Sequence, residues 1–182
     1  MSDYFDWIRP DWPAPDNVHA VSTTRSGGVS QGAYSSLNLG AHVGDDPQAV
    51  LKNRAILKET LKLPAEPLWL EQLHGNEVLG PEDGSCADAR IVERGQVAVV
   101  MTADCLPVLF TDREGNQVAA AHVGWRGLEA GILENTVHKM NAEPKDIMAW
   151  LGPAIGPAAF EVGDEVREAF VSHDRRAEDA FK

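Results

Sequence analysis

The stretch from Pro107 to His122 constrains the fold more tightly than any other part of the chain. Pro107 to Asp112 is largely apolar, Arg113-Glu-Gly-Asn116 is a polar turn containing glycine, and Gln117 to His122 is apolar again. This pattern predicts two antiparallel strands joined by a turn. If the four turn residues stay unpaired, Asp112 faces Gln117 and His122 faces Pro107. Residues two apart share a face of a strand, so Cys105 lies on the same face as Pro107 and one diagonal step from His122. A diagonal step of about 7–8 Å lets a thiolate and an imidazole converge on one ion, with bonds of about 2.3 and 2.0 Å. The hairpin therefore offers two metal ligands.

Catalytic zinc sites typically use three protein ligands and leave a fourth position open. The candidate third ligand is His74 in Trp69-Leu-Glu-Gln-Leu-His-Gly75, a segment that alternates like a strand with Gln72 and His74 on one face. Taken singly these signals are weak: a lone His ending an apolar strand is more often structural, and a lone Cys is usually a small buried hydrophobe. Asp104, just before Cys105, has three readings. It orients a ligand imidazole, accepts a proton in the reaction, or caps a turn.

Five motifs occur together and in order: EQLHG at 71–75, ADA at 87–89, MTADCLPVLF at 101–110, AAHVGWRG at 120–127 and LGPAIGP at 151–157. In this combination the chain resembles the laccase-domain family, also called polyphenol oxidoreductase and re-described as a zinc-dependent multifunctional purine nucleoside phosphorylase and adenosine deaminase. The similarity runs from about Trp12 to the last residue. It implies metal ligands at His74, Cys105 and His122, the three that the hairpin argument also selects. It further implies that the segment TTRSGGVS, with Arg25, lines the active-site cleft. Members of the family continue for some tens of residues past the point where this sequence stops. The expectation is thus a single catalytic domain over 1–182, truncated at its C-terminus, with uncovered surface that either self-associates or leaves the domain less stable and the cleft open on one side.

With 182 residues, 43% of them hydrophobic, the chain is long enough for one domain with a sizeable core. A formal charge of −12 argues against nucleic acid and anionic membrane as partners, since both select basic surface. No apolar run approaches the length of a membrane span, and the acidic, aromatic start MSDYFDWIRPDW does not read as a signal peptide. The two cysteines, Cys86 and Cys105, make no disulfide framework. The expected compartment is the cytoplasm.

The predicted fold is α+β, a mixed but mainly antiparallel β core with helices outside. Val18–Thr24 reads as a strand, and Asp46-Pro47 as the cap and first residue of a helix to about Leu63 that buries Val50, Ile56, Leu57 and Leu61. Val97–Met101 is unbroken and apolar, predicting a strand buried on both faces. Gly124-Trp-Arg-Gly127 opens a predicted helix to about Met140, with Leu128, Ile132, Leu133, Val137 and Met140 inward. Ile147–Leu151 reads as a strand and Gly163–Val171 as a helix. Arg25, Asn38 and Arg126 are the candidate substrate-binding groups. Arg25 sits beside two glycines, Asn38 reaches either substrate or its own loop, and Arg126 adds charge to a glycine-rich helix entry that suits an anion. The alternative for those glycines is close packing.

The leading functional reading is a zinc enzyme whose partners are small molecules, purine nucleosides and phosphate. The resemblance implies phosphorolysis of adenosine, inosine and methylthioadenosine, and deamination of adenosine. Cys105, His122 and Asp104 are its candidate catalytic residues. Copper-dependent polyphenol oxidation is the alternative carried by the older family name, with copper as the alternative metal. Two further readings are a cysteine hydrolase using Cys105 and His122, and an editing factor for cell-wall peptidoglycan precursors in which zinc is structural.

Overall fold

The computed structural model describes residues 5–181. Its centre is a five-stranded sheet built around the predicted hairpin. Strands β5 (Leu106–Asp112) and β6 (Gln117–Val123) pair antiparallel, with Pro107 opposite His122 and Thr111 opposite Val118. This is the register that a four-residue turn imposes. Strand β3 (Ala89–Glu93) pairs antiparallel with β6, and β7 (Ile147–Leu151) antiparallel with β5. The short β2 (Val78–Leu79) adds a parallel edge, giving the order β2-β3-β6-β5-β7. A separate parallel pair joins β1 (Pro67–Leu68) to β4 (Val97–Ala98). The mixed, mainly antiparallel α+β fold follows from these pairings.

The two faces of the sheet do different things. Ala89, Ile91, Val108, Phe110, Ala119, Ala121 and Val123 project to one side and form the core with Ile132 and Met140. Pro107, Leu109, Val118, Ala120 and His122 alternate to the other side, where with Trp150 they line a cleft. The helix α1 (Pro47–Leu61) starts as predicted, with the Asp46 carboxylate accepting the Gln48 N–H at 2.9 Å and Pro47 in the first turn. Lys62 ends it in the left-handed region at φ 51°. The buried face of α1 differs from the one predicted. Val50 and Leu57 are buried, but Ile56 and Leu61 only partly, and the fully buried member is Asn53. A periodicity of apolar residues cannot show a polar side chain whose partners come from a loop elsewhere.

Other elements also depart from the sequence expectation. Val18–Thr24 is no strand: it makes one bridge, Ser22 with Ile8, through reciprocal hydrogen bonds of 2.8 Å. Only Val97 and Ala98 of the apolar run pair with another strand, and Val97–Met101 is half-buried because the run lines the cleft. The predicted helix from Gly124 to Met140 is two, α2 (Trp125–Glu129) and α3 (Ile132–Lys139), broken where Gly131 takes φ 87°. Leu128, at that break, is 41% exposed and not inward. The helix α4 (Asp164–His173) lies where expected.

Candidate metal centre and its cleft

Cys105 stands one residue before β5, and His122 is buried near the end of β6. His74 reaches them from a different piece of chain. One ligand atom from each of His74, Cys105 and His122 can be chosen so that all three lie within 4.8 Å of one another. The rings of His74 and His122 meet edge to face. Two imidazoles and a thiolate form a borderline-soft donor set that fits zinc, and it equally accepts copper. The residues present thus fit a metal ion. The fourth position has no protein ligand among the described residues: Cys86 is exposed and bonds Glu71 at 3.2 Å. An open position is what distinguishes a catalytic site from a structural one.

The route by which His74 arrives differs from the predicted strand. Past Glu71, which bridges Cys86, the chain coils, and His74 is left-handed at φ 58°. Three successive N–H groups, of Leu73, His74 and Gly75, donate to the Asp88 carboxylate at 3.1, 2.9 and 2.7 Å. In a strand, successive N–H groups point to opposite sides, so this acceptor and a strand exclude each other. Gln72 ties the same segment to the cleft wall, exchanging bonds of 2.8 and 2.7 Å with the backbone of Met101.

The carboxylate that meets a ligand imidazole is that of Asp88, 2.8 Å from His122 Nδ1. Asp104 makes no side-chain hydrogen bond to a described residue; it is exposed, and it lines the cleft beside Cys105. The orienting role considered for Asp104 therefore falls to Asp88, the middle residue of the ADA motif. A lone Asp between two alanines, just before an apolar strand, was the signal that could have found it, since a buried carboxylate needs donors.

Burial pushes the Cys105 thiol up from its ordinary range, and the charges of Asp104 and Asp88 push the same way. Without a metal ion these surroundings disfavour the thiolate, which counts against Cys105 as the nucleophile of a hydrolase. Gly124, which precedes α2, sits directly under the ligands. A Cβ there would stand 3.2 Å from the His74 ring and 3.3 Å from Cys105 Sγ. One turn later, a Cβ on Gly127 would meet the Gly75 carbonyl oxygen at 2.6 Å. The glycines of GWRG thus serve close packing of a short helix against the loop that carries His74.

The cleft over the cysteine and histidines has a volume of about 910 Å³. Its lining includes Thr24, Arg25 and Asn38 together with Gln72, Asp104 and Trp150. Arg25 is the one arginine or lysine in that lining among the described residues. Its Nε donates to the Ser35 carbonyl at 2.7 Å, and a terminal nitrogen reaches Ala33 O at 3.5 Å. Asn38 also lines the cleft, but its amide is committed to the loop. It donates to Asp45 and to the Gly40 carbonyl, and accepts the Gly40 N–H. Arg126 is exposed, with its guanidinium 4.3 Å from the Trp125 ring centroid, and does not line the cleft.

Comparison with known proteins shows the family. Residues 19–182 match the family model described as multi-copper polyphenol oxidoreductase laccase. The chain belongs to that family. It is 56% identical over 179 residues to the purine nucleoside phosphorylase YfiH of Escherichia coli, covering 96% of this chain and 74% of that one. A purine nucleoside phosphorylase of Pseudomonas aeruginosa is 54% identical over 178 residues, covering 96% and 73%. Among solved structures, a Neisseria meningitidis protein superposes with a TM-score of 0.91 at 50% identity, over 97% of this chain and 74% of that one. YlmD of Geobacillus stearothermophilus superposes with a TM-score of 0.85 at 31% identity, over 94% and 72%. As a member of this family with relatives named as phosphorylases, the chain reads as an enzyme. No described helix is long and apolar enough to cross a membrane.

Proposed function

We propose that this chain is a zinc-dependent purine nucleoside phosphorylase, acting on adenosine, inosine and methylthioadenosine, that also deaminates adenosine. The observation that carries the reading is the three-ligand group His74, Cys105 and His122 opening onto a cleft of about 910 Å³. That volume lies within the range of small-molecule sites, about 300–1,000 Å³. The relatives named as purine nucleoside phosphorylases, at 56% and 54% identity, supply the substrate class. Phosphorolysis breaks the bond from the base nitrogen to ribose C1′ and forms a bond from C1′ to a phosphate oxygen. Arg25 holds that phosphate: it lines the cleft, and two of its five N–H donors go to backbone carbonyls, which leaves three for an anion. Asp104, exposed and without a side-chain partner, takes the proton of the attacking phosphate and returns it to the departing base nitrogen. Zinc held by His74, Cys105 and His122 would supply Lewis acidity and would acidify a water. Arg126 stands outside the lining, and we assign it no substrate contact in this arrangement.

Copper chemistry on phenols is the second reading, favoured by the family's description alone. Multicopper oxidation uses several histidine-rich sites, whereas one group of three ligands is found among the described residues. The deciding experiment is metal analysis combined with a nucleoside–phosphate assay, run in parallel on a chain extended to the relatives' length. Zinc at one equivalent, with phosphate-dependent release of base that a chelator stops and zinc restores, is the expected result. Metal-loaded protein of either length that releases no base would overturn the proposal.

A further inference from the structure

Asp88 is buried, and its bonds reach beyond the His122 ring that it orients. Its side chain is 1% exposed, one residue before β3. A carboxylate offers about four lone-pair sites, and here four donors fill them. Oδ1 accepts the His74 N–H at 2.9 Å and His122 Nδ1 at 2.8 Å. Oδ2 accepts the N–H groups of Leu73 and Gly75 at 3.1 and 2.7 Å. The Asp88 main-chain carbonyl also accepts the His122 N–H at 2.7 Å. One residue thus holds the backbone of His74 and both the backbone and the ring of His122.

We propose that Asp88 is the positioning residue that sets the His74 loop and the His122 ring as ready-made ligands before any ion arrives. The ligand role itself rests on the metal reading above. Two physical consequences make Asp88 the organiser. Non-glycine residues avoid positive φ, so the φ of 58° at His74 needs compensation, and three converging N–H groups with one anionic acceptor supply it. An ionised carboxylate can only accept, so the single proton of a neutral His122 sits on Nδ1. Its Nε2 lone pair is then left free for the metal. Partners of this kind are worth about 10–100-fold in metal affinity where they have been removed.

Asp88→Asn isolates the effect, because it keeps size and removes one acceptor. With its NH₂ toward the loop, two backbone N–H groups meet a donor, and the left-handed turn at His74 loses its anchor. With its NH₂ toward His122, Nδ1 becomes the acceptor and the proton moves to Nε2, which blocks the ligand position. Zinc competition against a chromophoric chelator should show the variant weaker by about 10–100-fold. Asp83→Asn, at a carboxylate that caps Gly80 and touches neither histidine, should bind zinc as the unaltered chain does.

The second measurement needs no variant. In the metal-free unaltered chain, nitrogen NMR should find the neutral His122 proton on Nδ1, and the amides of Leu73, His74 and Gly75 should exchange slowly. A merely structural Asp88 would not fix that tautomer. Zinc binding by Asp88→Asn within twofold of the unaltered chain would overturn the proposal, as would a His122 proton on Nε2 or fast exchange at all three amides. If Asp88→Asn does not fold, the tautomer and exchange in the unaltered chain decide. If the unaltered chain binds no zinc, the metal reading fails, and those two measurements still decide the role of Asp88.

Discussion

The imidazoles of His74 and His122 meet edge to face, with ring centroids 4.7 Å apart and planes at 88°. Neighbouring residues in sequence could not produce this, because the first ring rides on a coil and the second on the central strand β6. Cys105 closes the triangle from the residue before β5, half-buried and contributing little packing. Cys105→Ala should therefore release the metal while the β core stays folded. Metal content after dialysis should fall to background, with the far-UV circular dichroism unchanged. A variant that keeps a full equivalent of metal would remove Cys105 from the ligand set.

Gly127 carries a less obvious dependence. It lies on α2, yet the atom a side chain there would strike is the Gly75 carbonyl oxygen, at 2.6 Å. That atom belongs to backbone next to His74 and cannot swing aside as a side-chain tip would. Gly127→Ala should push α2 or the His74 loop outward, weakening zinc binding by about tenfold or more and costing roughly 1–3 kcal/mol of stability. A chelator-competition titration with a urea melt checks both. Unchanged affinity would show that the loop and helix part without moving His74.

These two sites show what was legible in the sequence and what was not. The hairpin register was readable, because a four-residue turn and a two-residue strand period leave one answer: Pro107 opposite His122. Cys105 and His122 followed from it, His74 was the candidate third ligand from its own segment, and the family motif selected the same three. The path of His74 was not readable, because a left-handed turn held by Asp88 looks in sequence like one more alternation of polar and apolar residues. Val97–Met101 misled for a related reason. An apolar run lining a cleft has the composition of a core strand without its pairing. Asn53 and Asp88 stayed hidden since a buried polar group is explained by its partners, and those lie 13 to 34 residues away in chain for Asp88 and 15 to 24 for Asn53.

Asn53 is the next test. It is fully buried on α1, and its side chain holds the wall of the cleft. Its amide nitrogen donates to Ser30 Oγ at 2.8 Å, Asn38 O at 2.8 Å and Ser36 O at 3.2 Å, while its oxygen accepts the Val29 N–H at 2.8 Å. Asn53→Ala leaves these loop groups without partners in a space that a methyl cannot fill. The expected loss is about 2–4 kcal/mol in a denaturant melt. The Arg25 segment should loosen with it, raising KM for phosphate more than it lowers kcat. A loss in stability with KM unchanged would separate Asn53 from the cleft.

Arg90, on β3, anchors the turn that follows β2. It is 2% exposed, and its guanidinium donates to the carbonyls of Gly80 at 2.8 Å, Asp83 at 3.3 Å and Gly84. Burial lowers its pKa, but an arginine remains charged at neutral pH. Removing the side chain strands three carbonyls that one cation had gathered into the 80–84 turn. Arg90→Ala should cost about 3 kcal/mol in a thermal or urea melt, without changing zinc affinity, because none of its bonds goes to a ligand-bearing residue. A matching fall in zinc affinity would show that the turn and the metal centre are coupled.

Asp45 links the cleft wall to pH. Its carboxylate accepts from Asn38 at 2.9 Å and from Ser30 at 2.6 Å, and its pKa is held below the ordinary carboxylate value first by Asn38, then by Ser30. A depressed folded-state pKa adds stability above the unfolded value, about 3.9, and that stability disappears as pH falls through the folded value. Asp45→Asn has no such proton to gain. The stability difference between the unaltered chain and Asp45→Asn should therefore be largest near neutral pH, constant down to about pH 5, and shrink below about pH 4. Urea melts of both proteins from pH 3 to 7 measure it. A difference that widens toward low pH would mean that the Asn38–Asp45–Ser30 contacts do not favour the ionised carboxylate.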